Sequence, residues 1–213
     1  MEPGEFTILV IDANGCQQEL AFTMLEPEEL TVELLTSIEG DETIIELGEG
    51  VVLTVSASVP FVDLDSIVWT PPLAVECDTC QSNTVFPNGP TTYGVTVYQG
   101  ECSAFDQLTI QVKKDLEIFV PNVFSPNGDG QNEVLFIQSK PDIVVNISSF
   151  LVFNRWGENV FEIYNLLPND INYGWDGSQK GRPLDPQVFV WFAEVEFIDG
   201  SKEIYSGDVT LIK

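Results

Sequence analysis

Histidine is absent from this 213-residue chain. That removes Ser-His-Asp and Cys-His nucleophile systems, imidazole acid–base catalysis and the usual catalytic zinc sites. Bases are almost as scarce. Eight Lys and Arg stand against 34 Asp and Glu, a formal net charge of −26, and Lys113 is the first base in the chain. Residues 1–113 carry nineteen acids and one base, whereas residues 114–213 carry fifteen acids and seven bases. A surface of that sign repels phosphate backbones, which excludes nucleic acid as a partner. No stretch approaches the roughly eighteen apolar residues that a membrane-spanning helix needs, so no transmembrane segment is expected. Met1-Glu-Pro-Gly-Glu5 is too acidic for a secretory leader, so an exported chain is expected to be the tail of something longer.

What is present reads as β structure. Apolar residues make up 44% and charged residues 20%, proportions of a folded chain. Val, Ile, Phe, Thr and Tyr dominate the patterned segments, punctuated by Gly and Pro. The period is two throughout, which predicts an all-β protein of tandem antiparallel, Ig-like β-sandwiches.

Near the start, Phe6, Ile8 and Val10 alternate with polar and apolar neighbours, Asp12-Ala-Asn-Gly-Cys16 makes a turn, and Leu20, Phe22 and Met24 alternate back. This predicts a hairpin over residues 5–25, and a lone hairpin is marginal in water. The design returns 86 residues later: Tyr93, Val95 and Val97, a turn ending in Cys102, then Leu108, Ile110 and Val112. Aligning Cys16 with Cys102 places turn on turn and strand on strand. Residues 1–27 accordingly read as the last hairpin of a truncated Ig-like repeat, and residues 28–113 as the next complete copy with about seven strands. Trp69 reads as core, at the end of a strand stopped by Thr-Pro-Pro. A short polar linker at 113–117 precedes a third unit, residues 118–213.

Two constellations raise chemical questions. Glu194 and Glu196 share a strand face, but they alternate with Ala193, Val195 and Phe197, the pattern of a solvated face over a core face rather than of a hydrolase pair. In Ser125-Pro-Asn-Gly-Asp-Gly-Gln-Asn-Glu133, Asn127, Asp129 and Glu133 bring oxygen ligands together around two glycines, a candidate calcium site. The same residues also suit an Asx-rich turn whose side chains bond backbone N–H groups.

Four motifs in fixed order occupy the last hundred residues: Pro121-Asn-Val-Phe-Ser-Pro-Asn-Gly-Asp-Gly130, between expected strands at Ile118–Val120 and Val134–Ile137; Phe153-Asn-Arg-Trp-Gly157; Gly174-Trp-Asp-Gly177; and Gly207-Asp-Val-Thr-Leu-Ile-Lys213. Together they resemble the gliding-motility-associated C-terminal domain of Bacteroidetes surface proteins, the sorting domain read by the type IX secretion system. The resemblance implies an export signal rather than an enzyme. It implies cell-surface, outer-membrane-associated localisation, with the translocon and an outer-membrane protein as partners. The matching sorting-motif positions are Ser125, Pro126, Asn127, Gly128, Asp129, Gly130, Asn154, Arg155, Trp156, Gly157, Trp175, Asp176 and Gly177. Asp185 and Gln187 depart from the family, which usually carries Pro and Gly there. Trp69-Thr-Pro-Pro-Leu73, Cys77-Asp-Thr-Cys80 and Thr91-Thr-Tyr93 resemble the PKD/Ig-like repeats of large adhesins from the same bacteria. The whole is therefore expected to be the stalk and sorting end of an adhesin or gliding protein. The alternatives are the non-catalytic end of an exported polysaccharide-degrading enzyme and a calcium-dependent carbohydrate-binding module. Upstream domains would supply any contact with extracellular polysaccharide.

Within the motifs, Gly157 is expected to take a positive φ, Arg155 to pair with Asp176 or cross a tryptophan face, and Trp175 to form a lid. Val188–Phe192 is apolar at every position, which predicts a strand buried on both faces. In the exported context that the resemblance implies, Cys77 and Cys80 are expected as a structural disulfide, most simply with each other and with Cys102 as the rival partner. A zinc ribbon would need a second Cys-x-x-Cys or a His pair.

Overall fold

The computed structural model describes residues 4–25, 28–38, 43–72 and 76–213. Leu73 of the Trp-Thr-Pro-Pro-Leu stretch and the 27/28 boundary of the repeats lie partly or wholly outside them. The chain begins with a hairpin, β1 (Gly4–Ile11) and β2 (Gln17–Met24). Phe6 faces Phe22 and Ile8 faces Leu20 across it, and the two phenyl rings stack at 5.7 Å. Almost every residue of the hairpin is exposed.

Seven strands follow: β3 (Val32–Thr36), β4 (Ile44–Glu46), β5 (Val51–Ala57), β6 (Ser66–Thr70), β7 (Ser82–Val85), β8 (Thr91–Gln99) and β9 (Cys102–Lys113). They form a three-stranded sheet, β3-β5-β7, facing a four-stranded sheet, β4-β9-β8-β6. Period-two alternation sends Leu34, Val51, Leu53, Val55 and Val85 of one sheet against Ile67, Trp69, Tyr93, Val95, Val97 and Ile110 of the other. Trp69 is buried among them and donates its indole N–H to the Cys80 carbonyl at 3.0 Å.

The β8–β9 hairpin pairs Tyr93 with Leu108 where β1–β2 pairs Phe6 with Phe22. The inner faces of the two hairpins therefore correspond pair for pair. The turns do not. Seven residues separate Val10 from its partner Gln18, and six separate Val97 from Ala104. Superposing Cys16 on Cys102 thus matches the second strands and leaves the first strands one residue out of step.

The third unit holds β10 (Ile118–Phe119), β11 (Val123–Phe124), β12 (Gln138–Ser139), β13 (Val144–Phe153), β14 (Asn159–Leu166), β15 (Ser178–Gln179), β16 (Arg182–Pro183), β17 (Gln187–Phe197) and β18 (Lys202–Leu211). Its main sheet runs β11-β18-β17-β13-β14, antiparallel except where β11 lies parallel to β18. The second layer is fragmentary: the β10–β12 ribbon, the β15–β16 ribbon and a single bridge between Leu135 and Trp175. The strand expected over Val134–Ile137 is reduced to that bridge, whose two amides exchange hydrogen bonds of 2.9 and 2.8 Å. The two chains come this close because Gly174 has no side chain; a Cβ there would lie 2.3 Å from Val134 and 2.7 Å from the Leu135 carbonyl. The core gathers Phe124, Leu135, Ile137, Ile147, Phe150, Phe189, Trp191, Phe197, Val209 and Leu211 around Trp175.

Two expectations fail here. Trp175 is no lid: it is 0% exposed, with Phe189 at 4.7 Å and Phe124 at 5.3 Å. Strand β17 is central in its sheet, yet buried on one face only. Phe189, Trp191 and Ala193 point inward, while Val188 and Val190 are 51% and 50% exposed. The fragmentary second layer covers a single side, and nothing among the described residues covers the other.

Candidate functional site: one pole of the C-terminal domain

Strand register brings all four motifs to one end of the main sheet. There β17 begins, β13 and β18 finish, and β14 starts: Gln187 pairs with Leu211, and Phe153 pairs with Val190 and Asn159. The first motif enters through β11, where Phe124 lies beside Leu211 and its carbonyl accepts the Ile212 amide at 3.0 Å. Gly177 of the third motif sits against both, and its ideal Cβ would meet Leu211 at 3.0 Å, Pro126 at 3.1 Å and Phe124 at 3.4 Å. Gln179, two residues on, donates to the Asn159 carbonyl at 3.2 Å and so ties the third motif to the turn of the second.

Most motif side chains are engaged in building the turns. Buried Asn154 accepts the amides of Trp156 and Glu158, each at 3.0 Å, and donates to the Glu158 carboxylate at 3.0 Å. Gly157 closes that turn at φ 80°. Asp176 accepts the amide and hydroxyl of Ser178 at 2.9 and 2.7 Å, and Trp175 donates its indole N–H to the Ser178 carbonyl at 2.7 Å. Of the two fates expected for Arg155, the structure shows the tryptophan face: its guanidinium carbon lies 4.3 Å from the Trp156 ring centre. Trp156 is 71% exposed, the most open large hydrophobic side chain at this pole.

In the first motif the Ser125 amide donates to the Asn132 carbonyl at 2.8 Å and closes the loop. Asn127 accepts the Asp129 amide at 3.0 Å, Asp129 accepts the Gln131 amide at 2.8 Å, and Glu133 accepts the Gly130 amide at 3.0 Å. Gly128 and Gly130 supply positive φ beside these side chains. The three residues considered for calcium thus each turn an oxygen to a loop N–H, which accounts for the loop as an Asx-type turn. Among the described residues no group of three or more His, Cys, Asp or Glu is placed to hold a metal.

The opposite pole faces the N-terminal sandwich. Lys114 in the linker meets Asp199 at 2.7 Å in the turn after β17, and Asn88 donates to the Ile198 carbonyl at 3.0 Å. Lys140 bridges Glu46 at 2.7 Å and Asp115 at 2.8 Å; these hydrogen bonds, Asp115 first, raise its pKa above the ordinary lysine value. Eleven residues of β17 separate the two poles, roughly 35 Å at strand rise. The bases divide in the same way. Lys113, Lys114, Lys140 and Lys202 lie toward the junction, and Arg155, Lys180, Arg182 and Lys213 lie in the segments of the motif pole.

Cys77 and Cys80 are joined in a disulfide with their Cα atoms 5.4 Å apart, while Cys16 and Cys102 are free and exposed. Asn83 braces the disulfide loop from inside, accepting the Cys77 amide at 2.9 Å and donating to its carbonyl at 2.7 Å. Glu194 and Glu196 share the outward face of β17. The exposed Trp156 beside Arg155, and the open apolar face next to it, are what the sequence pattern did not reveal. Consecutive apolar residues in β17 were visible, but not which side lacked a cover.

Three solved structures are among those similar to this chain. A tetra-tandem repeat from the extending region of a large adhesion protein shares 13% identity at a TM-score of 0.36, covering 98% of this chain and 57% of that one. Latent PorU from Porphyromonas gingivalis shares 11% at 0.32, covering 99% and 24%. S-layer protein SbsC domains 4 and 5 share 12% at 0.37, covering 87% and 100%. The chain thus spans little more than half of the adhesion repeat structure and a quarter of PorU. No curated protein matches it. The family model of the CHU_C type IX secretion signal domain matches residues 118–211, the unit that carries the four motifs. That address directs the chain to the type IX secretion system, and so to the cell surface or the extracellular space. Residues 118–211 of this chain thus match the family of the CHU_C type IX secretion signal domain.

Proposed function

We infer that this chain is the stalk and sorting end of a surface adhesin or gliding-motility protein, non-catalytic in itself. Residues 118–213 act as the export signal and residues 28–113 as a spacer. The observation that carries the reading is the family match over 118–211, together with the position of the four motifs at the pole facing away from the N-terminal sandwich. A signal read at that pole is unobstructed by whatever precedes it. The spacer role rests on the uniformly anionic N-terminal sandwich, whose like charges keep neighbouring molecules apart. The first hairpin fits the closing hairpin of a preceding sandwich, since its Phe6, Ile8 and Phe22 correspond to Tyr93, Val95 and Leu108, which β8–β9 turns to its core. The main competing reading is the non-catalytic end of an exported polysaccharide-degrading enzyme, with the same export signal.

The test is export of a periplasmic fluorescent reporter in a host that has this secretion system. Fused to the whole chain, the reporter should reach the cell surface; fused to residues 1–113 it should stay inside. Surface delivery by residues 1–113 alone would reverse the assignment of the two halves. Deleting Gly207–Lys213 would not serve as a test, because it removes the core residues Val209 and Leu211.

A further inference from the structure

The outward face of the main sheet of the C-terminal domain changes character halfway along. On β17 the outward positions are Val188, Val190 and Phe192, and then Glu194 and Glu196. Leu151 and Phe153 of β13 stand beside Phe192 and Val190, and Val123 of β11 lies one strand beyond Val188, across Thr210. A sheet face open to water normally carries polar residues at alternate positions. On β17 the half near the junction does so, with Glu194 and Glu196, although Ile204 opposite Glu194 on β18 is apolar and 66% exposed; the half near the motif pole does not. This apolar half runs toward Trp156, three residues beyond Phe153. Contiguous exposed apolar surface of this kind marks an interaction site.

Carboxylates frame it. Asp208 is paired with Val190, Glu162 with Leu151, and Glu194 is the next outward residue after Phe192. We propose that this half-face docks a protein of the export apparatus that presents an apolar centre ringed by Lys and Arg. A second copy would set the same carboxylates against one another on molecules of net charge −26. An anionic lipid surface would meet the same repulsion. A basic-rimmed protein satisfies both the apolar centre and the frame, and a partner seated at this pole stays clear of the N-terminal sandwich. The identity of the partner as export apparatus rests on the reading of residues 118–213 as the export signal; the docking face itself does not.

The experiment uses the full chain with an N-terminal reporter in a type IX-competent host, with a benzophenone amino acid in place of Val123. Val188→Thr with Val190→Thr removes apolar surface while keeping branched strand residues, and Glu162→Lys with Asp208→Lys inverts the frame. Each pair should cut both surface delivery and the photo-adduct about tenfold, with the melting temperature of the purified chain unchanged to within about 2 °C. Unchanged delivery and adduct in both pairs, while the whole chain is exported and residues 1–113 are not, overturns the docking face and leaves the export reading standing. Failure of the whole chain to reach the surface overturns the export reading, and the adduct in the cell-envelope fraction still decides the docking face. Two other results also overturn it: a dimer at high salt that Val188→Thr with Val190→Thr abolishes, or sedimentation with phosphatidylethanolamine–phosphatidylglycerol vesicles that the same pair abolishes.

Discussion

The two sandwiches bury their tryptophans in different ways. In residues 28–113, Trp69 lies between two complete sheets, and period-two alternation on both sides supplies its neighbours. In residues 118–213 one sheet is complete and the other layer is broken into ribbons, with Trp175 and its turn filling the gap. A cover assembled from turns has few ladder hydrogen bonds to hold it. It relies instead on particular side chains: Asp176 and the loop from Ser125 to Glu133 satisfy backbone groups that a strand would have paired. The difference teaches why the C-terminal half carries more legible motifs than the N-terminal half. A sheet pair tolerates any residues of the right period, whereas a turn-built layer specifies residue types one by one.

The largest way to break that comparison is to remove each tryptophan in turn. Trp175→Ala should cost about 3–5 kcal/mol and unfold the C-terminal domain while the N-terminal transition survives. Trp69→Ala should do the reverse at similar cost. Scanning calorimetry of the full chain reads both transitions. If either variant shifts both transitions equally, the two cores are one cooperative unit and the contrast is misplaced.

The all-β class, the hairpin and the turn at Gly157 were legible because each follows from alternation or from one residue's backbone freedom. Burial of Trp69 was legible from its place at the end of an apolar strand, Ile67-Val68-Trp69, that Thr-Pro-Pro stops. Trp175 was misread because it sits in a turn, where period says nothing and only the missing second sheet explains why a turn residue becomes the core. Val188–Phe192 was misread for the matching reason. An apolar run states that two faces are apolar, and only tertiary packing decides whether both are covered. The one-residue mismatch between the two hairpin turns was hidden because the shared cysteine fixes the register of the second strand alone.

Glycine substitutions sharpen the comparison at a single atom. Gly177 has φ 77°, and a Cβ there would press on Leu211, Pro126 and Phe124, the meeting point of three motifs. Gly177→Ala should cost about 2–4 kcal/mol, backbone strain and overpacking together. Gly100, in the turn of the β8–β9 hairpin, has φ 59° with nothing within 4 Å of its would-be Cβ. Gly100→Ala should cost about 1 kcal/mol, from backbone strain alone. Equal costs in urea titrations would show that the contact at Gly177 relaxes freely and that the motifs do not lock together there.

Acid is expected to act on the C-terminal domain through its junction. The Asp199 side chain is 2% exposed, and burial alone would raise its pKa. The Lys114 ammonium at 2.7 Å and the Ser201 hydroxyl and amide at 2.6 and 2.9 Å outweigh burial and bring it to about 2. A carboxyl held low contributes stability that is complete above its unfolded value near pH 4 and is lost as pH falls through the folded value. The contribution at neutral pH is on the order of 2 kcal/mol, reduced by salt because Lys114 is part-exposed. Wild type should therefore exceed Asp199→Asn in stability at pH 7, and the gap should close between pH 4 and pH 2. A gap that stays constant across that range would assign the loss to packing rather than to the charge.

Calcium gives the smallest expected difference. The loop carries two carboxylates, Asp129 and Glu133, and one oxygen of each already accepts a loop amide. The chain as a whole carries 34 acids, so millimolar calcium should raise its melting temperature by relieving general repulsion. That gain comes from the whole surface and should be the same in wild type and in Asp129→Ala, even though the variant starts lower for want of the Gln131 amide contact. A bound ion would act otherwise, stabilising only the state that holds it, in proportion to the logarithm of its concentration over its dissociation constant. Titrating calcium against magnesium in thermal melts of both proteins separates the two. Parallel, cation-indifferent shifts assign the loop to turn formation, and a calcium-selective gain that Asp129→Ala removes would make Asn127, Asp129 and Glu133 a metal site after all.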